Sequence, residues 1–162
     1  MFTFENYHPK YLAQMTAIWN DILEDGNAFP GEELFTQDAF ENYLMEQTIV
    51  RSIIIENEVA GFYITHPNNI GRCNHVANTS YCMNKAFRGK KIFPHLVQDS
   101  LERAKESGFQ GMQFNAVVAS NKAAIHTYEK FNFGIVGTIP SGFRLKDGIY
   151  SDMYIMYRSL IE

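Results

Sequence analysis

The chain has 162 residues, 46% of them hydrophobic and 20% charged, and carries a formal net charge of -4. That length suits a single domain spanning residues 1–162, on a prior of about 100 to 200 residues per domain. The negative balance leaves no electrostatic footprint for nucleic acid, no run of about 18 apolar residues marks a membrane span, and Cys73 and Cys82 are too few for a disulfide framework. With no basic, apolar leader before Asn6, the expectation is a soluble, cytoplasmic protein.

Phe2 and Phe4 alternate with polar neighbours, which predicts a short first strand closed by the turn at Asn6-Tyr7-His8-Pro9. Tyr11, Leu12, Met15, Ile18, Trp19 and Ile22 then recur at helical spacing, and Glu24-Asp25-Gly26-Asn27 stops that helix. A loop at Phe29-Pro30-Gly31 leads to a second helix capped by Thr36 and ending near Gln47. Ser52–Ile55 and Val59–Thr65 flank the polar turn Glu56-Asn57-Glu58, as a hairpin does.

After a longer loop, His75–Met83 reads as a strand. The turn through Ile92 feeds a helix over Phe93, Leu96, Val97, Leu101 and Ala104, for which Gly108 is a natural stop. Met112–Val118 is the next strand, Asn121 opens another helix, and Gly134–Ile139 and Gly148–Tyr157 form two final strands joined by Pro140–Lys146. The order is mixed α/β without repeats or linkers.

A strand that runs through a glycine turn into a helix is a general anion site, because unpaired backbone N–H groups and the helix dipole both favour negative charge there. Arg88-Gly89-Lys90-Lys91-Ile92-Phe93 adds three positive side chains, and Pro94 fits a first helical turn. A solvated basic turn would show the same charges. Downstream, Asn121 sits at a cap position and Ala124, Ile125, Tyr128 and Phe131 share one helical face, which an ordinary core tyrosine would also explain.

Together these segments resemble the GNAT superfamily of N-acetyltransferases. Arg88–Phe93 is similar to its loop Arg/Gln-x-x-Gly-x-Gly/Ala, with Lys91 and Phe93 in the two glycine positions and only Gly89 to relax the turn. Asn121–Phe133 is similar to its second signature, Asn-x-x-Ala-x-x-x-Tyr-x-x-x-Gly-Phe, with Asn132 where the glycine stands. The resemblance implies an α/β fold with a mixed, largely antiparallel sheet flanked by helices and opened between two central strands, His75–Met83 and Met112–Val118. It implies acetyl-CoA as co-substrate, bound by Arg88, Gly89, Lys90, Lys91, Ile92, Phe93 and Asn121, with backbone N–H groups near Cys82 and Met83 polarising the thioester carbonyl.

The chemistry gives Tyr128 a role. Amine attack on a thioester expels a thiolate, and a phenol with an ordinary pKa of about 10 can hydrogen-bond or protonate a thiol whose own value is about 8.5. Members of the superfamily often carry a carboxylate base on the strand before the phosphate turn, but His75–Met83 contains no Asp or Glu. Three options stay open: His75, a water held by Asn78, or an amine that arrives already deprotonated.

Asn78 and Asn115 place uncharged amides in apolar strands, where they bond to each other or to backbone at the strand opening, or recognise substrate. Their segments resemble a narrower group, the fungal enzymes that acetylate proline-analogue imino acids such as azetidine-2-carboxylate, in which the matching asparagines contact substrate. His66, Cys73, His75 and Cys82 fit no common zinc spacing, so no metal is expected. Cys82 lacks an adjacent base, which favours direct transfer over an acyl-enzyme.

Phe29, Pro30, Phe143, Arg144 and Tyr150 would wall an acceptor pocket, pack as ordinary loop residues or make a homodimer contact. The expected activity is direct N-acetylation of a small-molecule amine or amino acid. A non-catalytic acyl-CoA sensor and a protein N-acetyltransferase are the alternatives.

Overall fold

The computed structural model describes residues 1–161. Eleven principal elements follow in chain order: β1 (Thr3–Asn6), α1 (Leu12–Asp25), α2 (Gln37–Met45), β2 (Ile49–Ile55), β3 (Glu58–Pro67), β4 (Val76–Met83), α3 (Phe93–Glu106), β5 (Gly111–Val118), α4 (Lys122–Lys130), β6 (Gly134–Arg144) and β7 (Tyr150–Ser159). The strands form one seven-stranded sheet in the order β1-β2-β3-β4-β5-β7-β6. Every neighbouring pair is antiparallel except β4 and β5.

Alternation along the strands splits the core in two. One cluster holds Tyr63, Ala77, Tyr81 and Met112 against Leu96, Val97 and Ile125, which come from α3 and α4. The other sets Phe62, Ile64 and Cys82 against Met15, Trp19, Phe40 and Leu44, on α1 and α2. Each face of the sheet is therefore closed by two helices.

Local chemistry explains most boundaries. Gly26 takes φ 66 and closes α1 in the left-handed cap that glycine favours. Thr36 accepts from Ala39 N to start α2, and Asn121 accepts from Ala124 N to start α4.

The last hairpin departs from the sequence expectation. The expected connector Pro140–Lys146 is largely strand: β6 continues to Arg144 through a register shift between Ile139 and Phe143, with Ser141 at φ 50. Proline is tolerated because β6 is the sheet edge and pairs only with β7. The turn lies at 145–149, closed by Leu145 N to Ile149 O, and Gly148 belongs to it with φ 88 rather than to the strand.

One polar cluster ties α3 to the sheet. Arg51 Nε donates to Asp99 Oδ2 at 2.7 Å, and the Tyr63 hydroxyl donates to the same oxygen at 2.7 Å. Burial, then the bond to Asp99, pushes the Tyr63 phenol far above its ordinary value.

Removing the carboxylate would strand a half-buried guanidinium and a buried hydroxyl. Asp99→Ala is expected to lower unfolding free energy by about 3–5 kcal/mol in urea titrations, whereas replacing all three groups, Arg51→Met and Tyr63→Phe with Asp99→Leu, is expected to cost far less.

Candidate active site

Strands β4 and β5 run parallel but pair only at Val76 with Gly111 and Ala77 with Met112. Beyond that point they part, and Asn78 Nδ2 donates to Gln113 O at 3.0 Å across the start of the gap. The opening forms a cleft of about 1170 Å³ that reaches from the 88–93 turn past Tyr128 to Phe29.

Ladder parity fixes which backbone groups face this gap. Asn84 N bonds to Ala60 O and Asn68 N to Val76 O, so even-numbered residues of β4 exchange bonds with β3. Met83 and Tyr81 consequently turn their N–H groups to the opening, while the Cys82 N–H is directed to β3. The Cys82 side chain is buried in the cluster beneath α1 and α2, and that burial pushes its thiol well above the ordinary range. Of the two residues expected to polarise a carbonyl, only Met83 faces the opening, and Cys82 is not among the cleft residues.

The turn after β4 is shaped to receive an anion. Gly89 has φ 78, Lys91 has φ 59, and Ile92 is right-handed with φ -87 and ψ -34 before α3 begins at Phe93. A left-handed residue followed by a right-handed one converges successive N–H groups into a concavity. Among the described residues, the N–H groups of Lys91, Ile92 and Phe93 have no backbone acceptor.

Phe93 turns its ring toward Tyr81 and Tyr128, with centroids 5.5 and 5.8 Å away, so the helix start stays open despite the missing glycine. Arg88 lines the cleft and lies 3.6 Å from Asp25, an exposed pair that a stronger anion would displace readily. Lys90 instead rests its ammonium over the Phe87 ring at 5.2 Å and does not line the cleft.

Tyr128 is half-buried, its ring tilted against Phe114 at 4.5 Å, and lines the cleft. Its hydroxyl has no hydrogen-bond partner among the described residues. Burial first, and then the Cys82 sulfur, pushes its phenol well above the ordinary value. Asn132 takes φ 68, a conformation asparagine tolerates, and Phe133 stacks on Phe114 at 4.5 Å.

Asn78 and Asn115 both line the cleft but do not bond to each other. Asn78 is half-buried. Asn115 is exposed rather than buried, in a stretch where β5 loses register with β7 between Phe114 and Val117. Its amide donates to Asn68 Oδ1 at 2.6 Å and its carbonyl accepts from Gln113 Nε2 at 2.9 Å.

His75 is exposed ahead of β4 and outside the cleft, while Phe143 is buried in the hairpin. Asp25, Asn27 and Asp147 line the cleft although their segments, Glu-Asp-Gly-Asn and Lys-Asp-Gly, read only as a helix stop and a turn. Lys146 Nζ bonds to Glu24 O at 2.5 Å, joining the two segments. Nothing in local sequence signals that contact between residues so far apart in the chain.

Two outcomes follow from this geometry. Lys91→Gly exchanges left-handed strain of about 1 kcal/mol for a similar gain in unfolded-state entropy, so its melting temperature should stay close to the parent's, while Lys91→Ile should lower stability by 1–2 kcal/mol. The fold also keeps Tyr63, Tyr81 and Tyr128 neutral where the unfolded chain ionises. Their contribution is intact below the ordinary phenol value of 10.0 and is lost as pH rises beyond it, so urea midpoints should fall above about pH 10 as phenolate absorbance appears.

A profile of the acetyltransferase (GNAT) family matches residues 12–133. The chain is 28% identical to N-acetyltransferase aca1 of Schizosaccharomyces pombe, over 89% of this chain and 78% of that one. In fold it is similar to a GCN5-related N-acetyltransferase from Kribbella flavida, with TM-score 0.90, 24% identity, and coverage of 98% of this chain and 97% of that one. It is likewise similar to a phosphinothricin acetyltransferase from Sinorhizobium meliloti solved in complex with AcCoA, with TM-score 0.90, 18% identity and coverage of 98% and 88%. With the profile spanning most of the chain, the protein belongs to the acetyltransferase (GNAT) family and is an acetyl-CoA-dependent N-acetyltransferase.

Proposed function

We propose that the enzyme moves the acetyl group directly from acetyl-CoA to the amine of a small molecule or amino acid. One observation carries this reading: a single cleft joins the unsatisfied N–H groups at 91–93, the N–H of Met83, the unpartnered hydroxyl of Tyr128, and Asn78. Pyrophosphate would be held by the Lys91–Phe93 concavity, with Arg88 released from Asp25 to join it. Asn121, beside the cleft at the start of α4, would steady the pantetheine arm.

Each chain residue then has a limited task. Met83 N–H meets the charge that gathers on the carbonyl oxygen as the amine attacks. Tyr128 donates its hydroxyl hydrogen bond to the departing sulfur. Held above its ordinary value, the phenol is not ionised beforehand and keeps its proton available for a hydrogen bond to the thiolate.

The net proton passes from the amine nitrogen to sulfur, so a neutral amine requires no carboxylate base on β4. Asn78, at the mouth of the strand gap, would orient the amine or a water that receives its proton. Asn115 would contact substrate through whichever amide bond it releases. Cys82, buried and held as a thiol, is unsuited to form an acyl-enzyme.

Thiol-release kinetics over an amine panel tests the reading. Tyr128→Phe should lower kcat about 100-fold with little change in the KM for acetyl-CoA, and Asn78→Ala should lower kcat/KM for the amine about 10-fold. Stabilisation of the protein by acetyl-CoA with no amine-dependent thiol release would instead mark a sensor of acyl-CoA.

A further inference from the structure

A second pocket of about 740 Å³ opens beneath the loop between α1 and α2 and shares Phe29, Pro30 and Ser80 with the cleft. We propose that it receives the aromatic body of the acceptor, so that the preferred substrate is an arylalkylamine without a carboxylate; this rests on the transfer reading above.

Its walls are π surfaces. Trp19 lies 4.8 Å from Phe29 and 5.7 Å from Tyr43, and Phe35 lies 5.4 Å from Tyr43, measured between ring centroids. The loop that carries Phe35 is fixed in place, because Asn20 Oδ1 accepts from Phe35 N and Asn20 Nδ2 donates to Phe35 O, both at 2.9 Å. Arg144 reaches from the end of β6 to Glu32 at 3.2 Å, an exposed pair on the outer side of the same loop. An aromatic group would thus enter a preformed slot and incur little ordering cost.

Size and charge narrow the occupant. Pockets of about 300–1,000 Å³ bury drug-sized ligands, so an acceptor as small as a proline-like imino acid would leave most of this one to water. The charged residues that line it, Glu32 and Glu33, are both acidic, and since Arg144 pairs with Glu32 it is Glu33 that leaves the site with a negative sign. That sign attracts an incoming ammonium and opposes an α-carboxylate. Ser80 projects from the same side of β4 as Asn78, so a ring held in the pocket leaves a short alkyl arm to carry the amine toward the strand gap.

The test uses the full chain, with binding and turnover read separately. Calorimetry in the presence of CoA compares 2-phenylethylamine with phenylalanine, propylamine, azetidine-2-carboxylate and putrescine, and thiol release from acetyl-CoA follows the same set. The aryl amine should bind and be acetylated with at least 10-fold higher kcat/KM than each of the others. Phe35→Ala should bring its advantage over propylamine below 3-fold, and Glu33→Gln, an exposed change that spares the core, should weaken its binding 2- to 3-fold.

Binding of phenylalanine, the imino acid or putrescine as tight as that of the aryl amine would overturn the proposal, as would an advantage unmoved by both substitutions. Tight binding of the aryl amine without thiol release would leave the pocket assignment standing and sink the transfer reading instead. Turnover of other amines with no binding of the aryl amine would do the reverse.

Discussion

The parting of β4 and β5 is the constraint on which the site depends. Parallel strands normally continue their slanted ladder, and here it stops after two residue pairs. An aromatic wedge occupies the α3 and α4 side of the split: Tyr81 and Phe114, one from each strand, are 5.9 Å apart, and Phe114 is flanked by Tyr128 and Phe133 at 4.5 Å each. Those rings, packed edge to face and offset, fill that side of the split. The split exposes backbone N–H groups, which is tolerable only where a ligand or water can satisfy them.

A second constraint holds the anion-binding end in register with the first. Helix α3 carries the 91–93 concavity at its start, and its midpoint is fixed to β2 and β3 by Arg51, Asp99 and Tyr63. The Asp99 carboxylate is buried and bonded to both partners, and the half-buried Arg51 guanidinium is also 5.4 Å from the Phe4 ring in β1. The cluster therefore sets where α3 lies over the sheet, and through it where the Lys91, Ile92 and Phe93 N–H groups point. Lys91 holds a left-handed backbone without glycine, a cost of about 1 kcal/mol that the packing of Ile92 and Phe93 on either side of the helix start has to outweigh.

Much of this was legible in the residues. Periodicity located the helices at Leu12–Asp25 and Phe93–Glu106, and the capping roles of Thr36 and Asn121 followed from their side-chain oxygens. The departures have local causes. Pro140 reads as a turn, yet an edge strand can carry it because no partner requires its missing N–H. Asn78 and Asn115 read as equivalent polar insertions in apolar strands, but Asn115 sits where β5 loses register with β7 and is exposed at the cleft, which alternation alone does not reveal.

By itself the sequence determined what is local: the order of α and β elements, the basic turn entering a helix, and the helix that presents Tyr128, because caps, turns and hydrophobic period depend on neighbours a few residues apart. Only the tertiary structure decided which backbone N–H groups are free, since that follows from strand parity, and it turned Met83 to the cleft and Cys82 to β3. It also decided that Trp19, Phe35 and Tyr43 surround one pocket and that Asp25 and Asp147 share the mouth of the cleft. Those groupings join residues from separate elements, and the physical reason they escape the sequence is that long-range packing carries no signature at the spacing of neighbours along the chain.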